Sequence, residues 1–242
     1  FYPERPTVNN EEYIVNVGNP TAEPPMQYHY MGVMLPALHG RCATSIFSLD
    51  QSFTSSWGDL TFRRADAFFM TAKAALDLER FAPEISAFRS APSPAAILYT
   101  LPSYAQKDYP DWMISAYEGA YFSGFPVRFI SDRLINNGKL NDFSILLVPN
   151  AQFVSQEVFD KIAVFVKHGG KVLCYGKDSL AMNEYGQRIH ARDSIRKSFI
   201  FLSDDTPESW FAGYEKLLRE LKKSPEVEVK SLSGKEIGRA HV

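Results

Sequence analysis

The chain has 242 residues, 45% of them hydrophobic and 22% charged, with a formal net charge of −2. That length admits one large domain or two ordinary ones, and the balance describes a globular chain, neither disordered nor fibrous. Lys, Arg, Asp and Glu are interspersed. No basic stripe therefore points to nucleic acid, no polybasic amphipathic segment to a membrane surface, and no run approaches the ~20 apolar residues that span a bilayer.

In chain order, Tyr13–Val17 reads as a strand closed by Gly18, Asn19 and Pro20. Met26–Leu38 reads as a helix with Met31, Met34, Leu35 and Leu38 on its apolar side and Gly40 to end it. Cys42–Leu49 reads as a second strand, followed by a polar loop over 50–59. A long amphipathic helix over 62–88 follows, with Phe68, Phe69, Leu76, Phe81, Ile85 and Phe88 among its apolar positions and Pro83 set to break it near the end.

Arg89–Pro94 is a Pro/Ser hinge and the expected domain boundary. After it the pattern restarts: strand 95–100, helix 109–123, strand 127–131, strand 144–148, helix after a Ser155 cap to Lys167, strand 171–176, strand 198–202, helix 207–221. Repeating β-α-β with short loops predicts an open parallel sheet with helices on both faces. The final Ile237-Gly238-Arg239-Ala240-His241-Val242 reads as a translated sequencing adapter, so residues 236–242 are expected to be an artefactual tail. With no initiating Met, the natural start is expected to lie upstream.

From Pro94 onward, Ala-Ala-Ile-Leu-Tyr-Thr, Phe-Ser-Gly-Phe-Pro-Val-Arg-Phe-Ile, Asp142-Phe-Ser-Ile-Leu-Leu-Val-Pro-Asn150 and Val164-Phe-Val-Lys-His-Gly-Gly-Lys-Val-Leu173 form a pattern of about 85 residues. It resembles the middle domain of the β-galactosidases of glycoside hydrolase family 42. The stretch Pro36–Ser52 is similar to the last barrel helix and eighth strand of such hydrolases, and Ala75–Ile85 to the segment closing their barrel. The resemblance implies an α/β chain: C-terminal βα units of a TIM-type barrel over 1–90, then a flavodoxin-like, class I glutamine amidotransferase-like domain over 94–230. It also implies a carbohydrate substrate, no cofactor, and a homo-oligomer, a trimer in that family, formed through the amidotransferase-like domain. Where the family has an aromatic and a basic residue at the end of the eighth strand, this chain has Leu49 and Asp50.

Glycoside hydrolysis needs two carboxyl groups across one bond. The resemblance puts the acid/base after a fourth strand that these residues do not include, and the nucleophile after the seventh, read as Tyr13–Val17. Glu23 is the carboxylate next downstream and the catalytic candidate; its competing reading is a solvated loop residue before Pro24-Pro25. Asp50, Gln51, Trp57 and Asp59 lie in the loop after the eighth strand, the face on which barrels build sites, and are candidate sugar contacts. Either Asp serves equally well as a turn or helix cap. His39 reads as a helix-end residue, and no second His or Cys stands near it at metal-ligand spacing.

Cys42 and Cys174 lie far apart in apolar runs and read as small hydrophobes. An amidotransferase needs Cys on a tight strand-to-helix turn, whereas the turn after Val148 reads Pro149-Asn150-Ala151-Gln152-Phe153. Two rivals to the hydrolase reading remain: a non-catalytic carbohydrate-binding or oligomerisation protein, and a Cys-dependent amidotransferase-like enzyme.

Overall fold

A computed structural model describes residues 26–38, 65–106, 109–224, 227–230 and 236–240. The chain divides into two compact units, Phe1–Ala91 and Pro92–Val242.

In the first unit the described residues form three helices: α1 Met26–Leu38, α2 Ala65–Arg80 and α3 Ala82–Ser90. The break expected from Pro83 falls at Phe81, and Pro83 then occupies the first turn of α3, where a missing N–H costs nothing. Helices α1 and α2 pack together. An ionic cluster ties them. The Asp77 carboxylate accepts from the Tyr30 hydroxyl at 2.8 Å and from Lys73 at 2.7 Å. Arg80 reaches its other oxygen at 3.0 Å, and the Lys73 ammonium lies over the Tyr30 ring. The bond from Lys73, then that from Tyr30, holds the Asp77 carboxyl below its ordinary range.

Over α2 and α3 the apolar spacing finds the buried Ile85 but otherwise misidentifies the inner face. Ala74, Asp77 and Ile85 are buried, whereas Phe69, Leu76, Phe81, Phe88 and, on α1, Met31 are exposed. The fully clamped carboxylate takes an inward position that hydrophobicity alone assigns to a hydrocarbon. The two strands expected in this half, Tyr13–Val17 and Cys42–Leu49, lie outside the described residues.

The second unit is built on a five-stranded, wholly parallel sheet: β1 Ala95–Tyr99, β2 Val127–Ser131, β3 Ile145–Pro149, β4 Lys171–Tyr175 and β5 Phe199–Phe201, in the order β2-β1-β3-β4-β5. This is the flavodoxin-like doubly wound order. The register sets Ile97 against Phe129 on one side and Leu147 on the other, and Leu147 against Leu173. Central β3 is buried throughout, matching its unbroken apolar sequence.

Helices cover both faces because both sets of alternating side chains are apolar. Ala96, Leu98, Leu146, Val148, Val172 and Cys174 share a core with Val158, Phe159, Ile162 and Phe165 of the helix α7, Gln156–Lys167. Gly213 of α9, Pro207–Glu220, lies against Leu173, on the opposite face, and α9 packs on α5, Tyr109–Tyr121. Each fully buried Leu, Ile, Val or Phe here contributes about 1.5–3 kcal/mol.

Helix ends follow local chemistry. The Ser155 hydroxyl accepts from the Val158 N–H, and α7 closes with Gly169 N–H on Val166 O and Gly170 N–H on Phe165 O, a Schellman pair needing the left-handed φ of 94° at Gly169. Thr206 caps α9, with Pro207 at its first position. Short helices α4 Leu101–Gln106, α6 Asp132–Asn136 and α8 Arg192–Ile195, and the antiparallel ribbon of β6 Val227–Lys230 and β7 Glu236–Ala240, are additions to the sequence reading. No helix among the described residues is long and apolar enough to cross a membrane.

Candidate functional site

Glu23, Asp50, Gln51, Trp57 and Asp59 lie outside the described residues, as do His39 and Cys42. Within the second unit, open parallel sheets offer one preferred position for a site: the crevice beyond the carboxyl ends of the strands, where the strand order reverses. Here that point lies between β1 and β3. The loops following β1, β2, β3 and β4 define it.

The chain's own groups bond to one another across this point. Ser103 in α4 donates to the Phe153 carbonyl at 2.7 Å and accepts from the Phe153 N–H at 2.9 Å. The Thr100 hydroxyl, directly after β1, lies 3.3 Å from both the Phe153 carbonyl and an Asp132 oxygen. Asp132, directly after β2, accepts from the Leu101 N–H at 3.0 Å through that same oxygen. Its other oxygen is buried without a hydrogen-bond partner. Burial raises the Asp132 pKa, opposed by the bonds from Leu101 and Thr100.

The turn after β3 holds Asn150 at a left-handed φ of 52°, a conformation Asn tolerates better than most residues. Its N–H bonds to both Val148 O and Tyr175 O, so the backbone leaves β3 toward the end of β4. There Gly176, with φ of 82°, lets the two loops touch: a Cβ at 176 would stand 2.2 Å from Asn150 Oδ1. An elbow nucleophile stands on such a strained turn. The side chain here is a carboxamide.

Beyond β4, Ser179 donates to Tyr175 O. Buried Arg192 donates to the carbonyls of Ser179, at 2.8 Å, and Lys177. Burial first, and Arg196 second, lower the guanidinium pKa. Cys174, inside β4, is fully buried, and burial pushes its thiol pKa far up. A protonated, inaccessible thiol is neither nucleophile nor metal ligand.

Among the described residues no group of three or more His, Cys, Asp or Glu is placed to hold a metal ion. Asp132 and Asn150 were readable as polar residues at strand ends. The inward course of Arg192 and the double bond of Ser103 had no signal, since Ser, Thr and Arg are ordinary loop residues.

No described protein family and no curated protein matches the sequence. Solved structures do match. An apo exo-carrageenase of glycoside hydrolase family 42 from Bacteroides ovatus superposes with a TM-score of 0.67 at 17% identity, over 86% of this chain and 29% of that one. A catalytic mutant of a family 42 β-galactosidase from G. stearothermophilus superposes with a TM-score of 0.54 at 18% identity, over 69% of this chain and 26% of that one. A second structure of that β-galactosidase gives a TM-score of 0.50. The chain thus shares its fold with part of family 42 glycoside hydrolases, and spans less than a third of their length.

Proposed function

We propose that the chain belongs to a glycoside hydrolase of the β-galactosidase type, which in the intact parent hydrolyses O-glycosidic bonds. The observation that carries this reading is the fold likeness to a family 42 enzyme over 86% of the chain. Residues 1–90 then close a catalytic barrel, with Glu23 as candidate nucleophile and Asp50, Gln51, Trp57 and Asp59 contacting the sugar. Residues 94–230 form an amidotransferase-like accessory domain that performs no chemistry and joins copies of the protein into an oligomer, a trimer on the family pattern. The carboxamide at Asn150 and the sealed Cys174 thiol support the silence of that domain.

The mechanism follows from two carboxyl groups across the scissile bond, one protonating the leaving oxygen and the other attacking or activating water. The indole of Trp57 supplies a flat apolar face for a pyranose ring, and the nearby carboxylates and amide bond its hydroxyls. The test is an assay of the full-length protein on aryl β-galactosides and on carrageenan oligosaccharides, the substrates suggested by the neighbours' names. Hydrolysis is expected, abolished by Glu23→Gln and unchanged by Cys174→Ala. A folded full-length protein that binds these sugars without turning them over would replace this reading with the non-catalytic one.

A further inference from the structure

The sequence contains one Asn-Gly dipeptide, Asn137-Gly138. Glycine offers no side chain to shield its backbone nitrogen, so this pairing is the most reactive context for attack by a main-chain nitrogen on a carboxamide. Asn137 is exposed and ends α6, and Gly138 takes a left-handed φ of 79° with open space where a side chain would lie.

We infer that Asn137-Gly138 is a self-modification site held in check by the turn that contains it. In the step itself, the Gly138 nitrogen loses its proton and bonds to Asn137 Cγ, and the side-chain nitrogen leaves as ammonia. Water then opens the cyclic imide at one carbonyl or the other, leaving aspartate or isoaspartate. Water enters and ammonia leaves; no other reactant is needed.

The folded geometry opposes the first bond twice over. Ring closure requires the Gly138 nitrogen to eclipse the Asn137 Cβ, whereas Asn137 sits near the helical region with φ −81° and ψ 9°, which turns that nitrogen away. The Gly138 N–H is also engaged, donating to Ile135 O at 2.9 Å, while the Asn137 N–H donates to Arg133 O at 3.1 Å. The Asn141 N–H closes the next turn on Gly138 O at 3.2 Å. Attack must wait for the turn to open.

The product does not fit the same turn. Isoaspartate routes the main chain through an extra carbon. Ile135, two residues before Asn137, and Leu140, two after Gly138, are 0% and 3% exposed and both sit in the central core cluster. Conversion therefore loosens the anchorage of the segment between β2 and β3.

The experiment incubates the 242-residue chain at mildly alkaline pH and maps its peptides by mass spectrometry, following the one-dalton gain in the peptide containing Asn137. Conversion in the folded chain is expected to be slower than in concentrated urea by about ten-fold or more, and to quicken in urea below the unfolding midpoint, as local opening grows. Asn137→Gln removes the gain, and chain enriched in isoaspartate melts below the unmodified chain. Equal rates folded and unfolded, no conversion in the unfolded chain, or an unchanged melting temperature after conversion would each overturn the inference.

Discussion

Replacing Gly119 with alanine tests the packing of α5 on α9. A Cβ at 119 would stand 2.4 Å from Pro207 O, 2.5 Å from Trp210 Cβ and 2.9 Å from the Phe211 nitrogen. None of these is the far end of a flexible side chain. Trp210 is fully buried and pinned by its indole N–H to Asp205 at 2.7 Å, so it has nowhere to swing. The helices must separate, and overpacking of this kind costs about 1–3 kcal/mol, with three rigid neighbours favouring the upper end. Alanine's better helix propensity returns about 1 kcal/mol. The net loss is about 2 kcal/mol, a fall of about 4–8 °C in the melting temperature of a unit this size. Gly32 in α1 is the matched control, since nothing lies within 4 Å of its added Cβ. Gly32→Ala should hold or raise stability, by up to about 1 kcal/mol. Calorimetry on both variants decides it. A Gly119→Ala melt equal to or above that of the parent chain refutes the close-packing argument.

Two further outcomes follow from ionisable groups. Hydroxyls of Ser209, Thr206 and Ser203 hold the Asp204 pKa down to about 2. A depressed carboxylate contributes stability that is complete above the ordinary carboxylate range and is lost as pH falls through the folded value. Asp204→Asn should therefore flatten the decline of the urea midpoint between about pH 4 and pH 2, and parallel curves for variant and parent would contradict this. In a Cys42→Ser background, a thiol probe at neutral pH should label Cys174 only as the chain unfolds, because the thiol is buried and protonated. Rapid native labelling would restore thiol chemistry to the second unit.

Apolar runs made the sheet legible. Ile145–Val148 and Val172–Cys174 are hydrophobic without interruption, as strands covered on both faces must be, and punctuation such as Ser155, Gly169 and Pro207 set the helix ends within a residue or two. Pro83 located a break because a missing N–H acts locally. Long-range partnership was not legible. Asp77 points inward because Tyr30, 47 residues away, and two neighbouring cations satisfy it. Ser103 is buried because the Phe153 backbone lies opposite. Neither partner is marked by composition or spacing. Of the candidate site, the sequence offered chemistry for residues 23 and 50–59, and the described residues instead reveal how the second unit's strand ends are occupied.

Arg192 has a consequence for how this fold can diversify. By donating to the carbonyls of Lys177 and Ser179, it cinches the excursion after β4 at its base, while Tyr185 at the tip stands 80% exposed. Between the tip and that clamp, the N–H groups of Leu180, Ala181 and Met182 donate to the carbonyls of Ala151 and Gln152, so the base of the excursion is also held to the loop after β3. The segment from Asn183 to Arg188 is accordingly a graft point, where foreign residues can be spliced at a loop-closure cost that grows only with the logarithm of length.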